Sequence, residues 1–332
     1  MTPKERVIAA IGHNKPDYTP GNVELCTSTM RAFSTRYGVS KEDFFDFAGN
    51  HIEKISYNGG EYIADHCFRD EFGVVWDRSD GSDIGNIQKH CLSEANLKDF
   101  SVPEVNGEEI KSRTEKIIRN GRETFKIGKI GMVLFERAWS LRSMEELLVD
   151  FYDEEDFVHE LFSRITDYNV AIINEALQYS LDGFYFGDDY GQQTGMIMGP
   201  ALWRKFIKPC LARTFAPIKA KGLPVILHSC GNILDILDDL VDIGLDCYQT
   251  VQPEIYDLRE LKKRFGGRLA FFGAISTQQF LPFAQPAEVK AKIKETISIL
   301  GTNGGYICAP THQVPEDVPA ENIMAMIEAL KN

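Results

Sequence analysis

The residues best able to carry chemistry stand where short apolar runs stop. Pro224-Val-Ile-Leu-His228-Ser-Cys230-Gly-Asn232 places a histidine and a cysteine two apart at such an end, and Gly305-Tyr-Ile-Cys308 ends another run on a second cysteine. Zinc takes thiolates and neutral imidazole in tetrahedral geometry, and a site with three protein ligands keeps one position open for chemistry. His228, Cys230 and Cys308 make such a set if their strand ends converge; the alternative is a pair of buried thiols and a hydrogen-bonded strand-end histidine. Gly183-Phe-Tyr-Phe-Gly187-Asp188-Asp189-Tyr190-Gly191 ends in two carboxylates, either of which can hold a cation, a hydroxyl or a protonatable group. Read structurally, the same stretch is an N-cap and turn ahead of Pro200. His312 follows Cys308 on the last loop and suits a capping role as readily as a catalytic one. Tyr185 and Tyr190 offer aromatic area for a pocket or for a core. Cys26, after Val23-Glu24-Leu25, ends a further apolar stretch, whereas Cys67, Cys91, Cys210 and Cys247 have no His or Cys neighbour at ligand spacing.

Strands and helices must position these residues. From about residue 180 onward, short apolar segments alternate with amphipathic stretches in the manner of repeated beta-alpha units. The strands expected are 183–187, 224–228, 245–249, 269–273 and 305–308, with helices over 200–221, 233–243, 258–265, 286–300 and 319–331. Pro200, Pro286 and Pro319 open helices, and Gly222, Gly244, Gly266 and Gly301 close them. The first half is less regular: a leading helix over 4–11, a strand over 22–26, a hairpin over 68–77 around Gly73, a strand over 126–136, and two helices within 144–180 broken near 152–154. The pattern fits a TIM (β/α)8 barrel with an N-terminal elaboration, spanning 1–332 as one domain with an irregular part over 1–125. A doubly wound open sheet is the competitor, without a glycine-rich phosphate loop to support it.

Composition narrows the classes of partner. Among 332 residues, 36 Lys and Arg face 49 Asp and Glu, a net charge of -13 that disfavours nucleic acid and anionic membranes. Without a signal-peptide core or a transmembrane-length apolar run, a cytoplasmic protein is the default. Seven cysteines, an odd number in a long chain, do not read as a disulfide framework.

The stretch 187–200, the His228-Ser-Cys-Gly-Asn232 turn, Phe271-Phe-Gly-Ala-Ile-Ser-Thr277, and Gly304-Gly-Tyr-Ile-Cys-Ala-Pro-Thr-His312 with Pro319-Ala-Glu-Asn322 resemble the uroporphyrinogen decarboxylase superfamily. The resemblance implies a TIM barrel. Within the superfamily the chain is similar to the corrinoid-dependent methyltransferases: the decarboxylases carry an Arg-Gln-Ala-Gly-Arg type loop, and here that region reads Val23-Glu-Leu-Cys-Thr-Ser-Thr-Met-Arg31. The likeness implies Zn2+ on His228, Cys230 and Cys308. Relatives add a Glu about twenty residues past the H-x-C pair; here Gln249, Thr250 and Gln252 occupy that strand end and Glu254 lies just beyond, so water, Glu254 or another side chain is the fourth ligand implied. Asp188, Asp189 and His312 are then the catalytic candidates, with Glu24, Cys26, Tyr185, Tyr190 and Gln249 lining the substrate. Two thiolates and an imidazole balance the metal's charge and keep a bound substrate thiolate nucleophilic. A methyl ether as donor is permitted too. The chain carries no Asp-x-His-x-x-Gly corrinoid-binding signature, so the cobalamin is expected from a partner corrinoid protein. The alternatives are a metal-independent decarboxylase and a non-catalytic barrel that binds a corrinoid or tetrapyrrole.

Overall fold

The computed structural model describes residues 1–79 and 84–331. In chain order the described elements are α1 (Pro3–Ile11), α2 (Thr27–Tyr37), α3 (Lys41–Ala48), β1 (Ile52–Ser56), β2 (Gly60–Ala64), β3 (Cys67–Asp70), β4 (Val75–Asp77), β5 (Asn86–Lys89), α4 (Gly107–Ile118), β6 (Phe125–Ile130), α5 (Phe135–Arg142), α6 (Met144–Asp153), α7 (Glu155–Ala176) and β7 (Gly183–Gly187). There follow α8 (Gly199–Leu202), α9 (Lys208–Ala220), β8 (Val225–His228), α10 (Leu237–Asp242), β9 (Cys247–Val251), α11 (Leu258–Phe265), β10 (Ala270–Ile275), α12 (Pro286–Leu300), β11 (Tyr306–Pro310) and α13 (Ala320–Leu330). The chain forms two compact units, one of Met1–Glu53, Gly121–Lys126 and Asp246–Asn332, the other of Lys54–Asn120 and Ile127–Leu245.

In the first unit β9, β10 and β11 run parallel, with Phe271 opposite Tyr248 and Tyr306, and α12 packs on α11 and α13. The strand expected over 22–26 is reduced to two bridges, Gly21 with Cys308 and Leu25 with Val314. The ladder fails between them for a definite reason. Pro310 has no N–H, the Thr311 N–H goes to Ile275, and the Asn50 side chain takes over as partner, accepting from Val23 N at 2.7 Å and donating to Val23 O at 2.9 Å. Helix α1 starts where Thr2 and Glu5 form a capping box with Pro3 at the first turn.

The second unit holds the parallel strands β6, β7 and β8 and a separate antiparallel sheet in the order β2-β3-β4-β5. The hairpin expected around Gly73 is β3 paired with β4, and Gly73 supplies the positive φ of 88° its turn requires. On β7 the side chains alternate: Phe184 and Phe186 face outward, Phe186 stacking on Phe215 of α9 at 5.5 Å, so Tyr185 and Gly187 face the other way. The strand expected over 126–136 stops at Ile130, and α5 begins five residues later. The helix expected over 200–221 is interrupted by a π turn at Trp203–Ile207. Pro209 cannot donate to residue 205 and its ring crowds that carbonyl, so the chain widens by one residue before α9. Among the described residues no helix is long and apolar enough to cross a membrane.

Candidate active site

Within the second unit, the loops after β7 and β8 are bound into one piece. Gly187 is the register partner of His228, Asp188 N donates to His228 O at 3.0 Å, Tyr190 N to Ser229 Oγ at 3.0 Å, and Asn232 N to Gln192 O at 2.7 Å. The loops touch through backbone at two glycines: a Cβ on Gly231 would stand 2.1 Å from the carbonyl carbon of Gly191, and one on Gly191 2.6 Å from Asn232 N. Gly231 also has φ 78°, so glycine is required there on both counts.

This loop pair sets His228 Nε2 3.3 Å from Cys230 Sγ and 3.4 Å from Asp189 Oδ1, which also accepts the Cys230 N–H at 2.8 Å. The three side chains are half-buried. Asp188 behaves differently. It is fully buried and accepts from Phe135 N at 2.8 Å, Glu136 N at 2.7 Å and the Tyr190 hydroxyl at 2.8 Å. It therefore caps α5, whose own N-cap residue, Leu134, has no side chain able to do so. The cap expected ahead of Pro200 is thus delivered to a different helix. Tyr190 is also fully buried and packs edge-on to Trp203 at 6.0 Å. Tyr185 lies with its ring centroid 6.5 Å from that of His228.

One functional candidate escaped the sequence reading. Glu136, in the first turn of α5, is pushed well above the ordinary carboxylate range by burial and by the neighbouring Asp189 and Asp188. Burial raises Asp188 to about 7, against the three donors that favour its ionised form. Cys230 is raised by burial, Asp189 and Glu136. The only sequence signal for Glu136 was its place after a strand end, on a stretch read as continuing strand.

The donor set fits a divalent metal. An imidazole nitrogen and a thiol sulfur lie within ligand spacing beside a carboxylate, and the accumulation of acidic groups around them is the environment a bound cation relieves.

The remaining candidates belong to the first unit. Cys308 is fully buried inside β11, and burial pushes its thiol to about 12. His312 is half-buried two residues past the end of β11, as Cys230 is two residues past the end of β8. Gln249 donates to Thr311 O at 3.1 Å, Glu254 accepts from the Ser276 hydroxyl, Glu24 accepts from Asn22 Nδ2 at 3.0 Å, and Cys26 Sγ lies 2.8 Å from Thr29 Oγ1.

Parallel strands alternating with helices, and polar residues gathered where β7 and β8 end, define a class of α/β protein whose site sits at strand C-termini. The chain belongs to the uroporphyrinogen decarboxylase (URO-D) family, which residues 135–332 match. It is 26% identical over 174 residues to the methylcobamide:CoM methyltransferase MtaA of Methanosarcina barkeri, covering 52% of this chain and 48% of the relative. It is 20% identical over 350 residues to a methylated-thiol–coenzyme M methyltransferase of Methanosarcina mazei, covering 100% of this chain and 89% of that one. The chain spans about half the length of MtaA and, at 49%, of uroporphyrinogen decarboxylases it matches. A solved methyltransferase structure from Methanosarcina mazei superposes with a TM-score of 0.77 at 19% identity, covering 100% of this chain and 98% of that one. That likeness shows the fold, a TIM-barrel type α/β fold with an N-terminal elaboration.

Proposed function

We propose that the protein is a corrinoid-dependent methyltransferase that moves a methyl group between a small substrate and the cobalamin of a separate corrinoid protein, with zinc at His228 and Cys230. The observation that carries this reading is the 3.3 Å spacing of His228 Nε2 and Cys230 Sγ beside Asp189. The two methyltransferase relatives support it. Zinc there supplies a Lewis acid, which lowers the pKa of a bound thiol or polarises the oxygen of a methyl ether. The chain's residues do the rest by position. Asp189 fixes the Cys230 amide and the face of the imidazole, Asp188 locks α5 so that Glu136 stays beside Asp189, and Tyr185 forms the floor next to His228. Cys308 is the third ligand implied by the resemblance; His312, with its strand-end place matching that of Cys230, is the other candidate.

Elemental analysis tests the assignment. Zinc should be stoichiometric in the wild type and lost from His228→Ala and Cys230→Ser, while Cys308→Ser and His312→Ala identify the third ligand. Unchanged metal in both His228→Ala and Cys230→Ser would overturn it. Methoxyarenes, methylamines, methanol and thiols, tried with cob(I)alamin and with methylcobalamin on a corrinoid protein, should reveal the exchange spectroscopically. The decarboxylase reading predicts turnover of uroporphyrinogen without metal. Against it, the stretch corresponding to the decarboxylase arginine loop offers only Arg31, exposed, and the next arginine along the chain, Arg36, is tied to Glu321 on the surface.

A further inference from the structure

Helix α6, in the second unit, carries apolar side chains on two faces where a surface helix needs one. Leu147, Asp150 and Phe151 are buried, with the Phe151 ring 6.4 Å from Phe135 of α5 and 5.9 Å from Phe162 of α7 between centroids. Glu145, Val149 and Tyr152, at i, i+4 and i+7, line the opposite side. Val149 is 54% and Tyr152 72% exposed, apolar area that packing within the unit leaves uncovered. The charge around this stripe has one sign. From Ser143 to Ser163 the chain has eight acidic residues and no lysine or arginine. Glu146 and Asp150 bind Arg142, Glu155 binds Lys205, and Glu160 binds Arg164. Among the described residues, Glu145, Asp153, Glu154 and Asp156 are exposed without an ionic partner. Acids in the first turns of α6 and α7 favour the helix dipoles, which accounts for some of this charge but not for Val149 and Tyr152.

The stripe stands near the site. Helix α7 returns the chain to the start of β7, so its N-terminus and the corner it makes with α6 lie at the end of the unit where β6 and β7 stop. Phe135, on which Phe151 packs, is the residue whose N–H binds Asp188. We infer that the outer face of α6 is a docking surface for the protein that brings the cobalamin, and that this partner meets it with an apolar hollow for Val149 and Tyr152, rimmed by lysines or arginines. This rests on the function proposed above and gives its partner a surface and a chemistry. Charge selects the occupant. Carboxylates bracket the apolar pair at both ends, Glu145 at one and Asp153 to Asp156 at the other, so a second copy packed antiparallel on this face would set acid against acid. An anionic membrane is repelled in the same way, and a purely apolar partner would strip water from carboxylates without replacing it. A basic rim relieves both, and a helix stripe at this spacing fits a groove.

The test titrates the full chain, by fluorescence anisotropy, against a labelled amphipathic helical peptide of leucine and lysine, with a leucine and glutamate peptide of the same pattern as control. Wild type should bind the lysine peptide at least tenfold more tightly than the glutamate peptide. Val149→Ser with Tyr152→Ser, and separately Glu145→Gln with Asp153→Asn and Asp156→Asn, should each weaken that binding at least tenfold, with circular dichroism confirming the fold. Tyr62→Ser with Ile63→Ser, at another exposed pair, on β2, should change nothing. Because none of these side chains belongs to the site, methyl transfer with free methylcobalamin should keep its wild-type rate in the α6 variants, while transfer with a subsaturating corrinoid protein falls at least tenfold. Undiminished peptide binding by both α6 variants, an equal loss in the β2 variant, unchanged transfer with the corrinoid protein, or a dimer in sedimentation that Tyr152→Ser abolishes would overturn the inference. Peptide binding with the expected losses, but no methyl transfer with free or protein-bound cobalamin, would leave the docking face standing and sink the methyltransferase reading instead.

Discussion

His51 is enclosed at the start of β1 with 3% exposure, its Nδ1 3.1 Å from Gly21 O and its Nε2 without a hydrogen-bond partner. Burial, reinforced by Arg6, holds the imidazole below its ordinary 6.5. The unfolded chain therefore takes up the proton first as pH falls. Stability is full above about 6.5 and declines below it, by at most about 1.4 kcal/mol per pH unit, until the folded ring protonates. His13, also held low, titrates in parent and variant alike. In urea titrations between about pH 7.5 and about pH 5.5, wild type should lose more stability than His51→Gln; parallel losses would show that His51 does not titrate in this window. At the same scale, the H-x-C pair was legible because its chemistry depends on residue type and spacing alone. The division of labour between Asp188 and Asp189 was not. Which carboxylate is spent on α5 and which stands by His228 depends on the twist of the chain leaving β7, and no residue type records that.

Among the elements, the antiparallel sheet turns on Asp70. Its carboxylate accepts from Phe72 N and Val74 N at 3.0 Å each, from Trp76 Nε1 at 3.0 Å and from Arg137 at 2.5 Å. Arg137 is 3% exposed, with Glu71 as its second acidic partner at 3.4 Å. Asp70→Ala opens the β3–β4 turn and leaves most of a buried guanidinium charge uncompensated, so it should cost about 3 kcal/mol in urea denaturation. A loss within about 0.5 kcal/mol would mean that Glu71 alone satisfies Arg137. Elements with strong periodic patterns were legible: α11 and α12 fall where their amphipathic stretches predict, and the break between α6 and α7 lies at Glu154. Helices α2, α3 and α4 and strands β1, β2 and β5 were not. Strand β2 is exposed along its whole length and α4 buries only Ile110 and Thr114, so neither writes a strong apolar period into the sequence.

Across the whole molecule, the second half announced its fold because beta-alpha repeats bury nearly every strand residue and mark helix ends with Pro and Gly. The first half concealed its part because hydrogen bonds there pass through side chains such as Asn50, which no period reveals. The abutting backbones of Gly191 and Gly231 have a consequence for motion. Loops locked at that spacing cannot breathe independently, so the arrangement of His228, Cys230 and Asp189 persists whether or not a cation is held between them. Amide exchange should read this directly: Gly191 N, bound to Cys230 O, and Asn232 N, bound to Gln192 O, should be as protected from deuterium in protein stripped by chelator as in protein loaded with zinc. Marked deprotection on stripping would mean that the metal, and not the glycine contact, holds the loops together. If protection is retained, the cation enters a cage already assembled, and its capture requires little ordering of the chain.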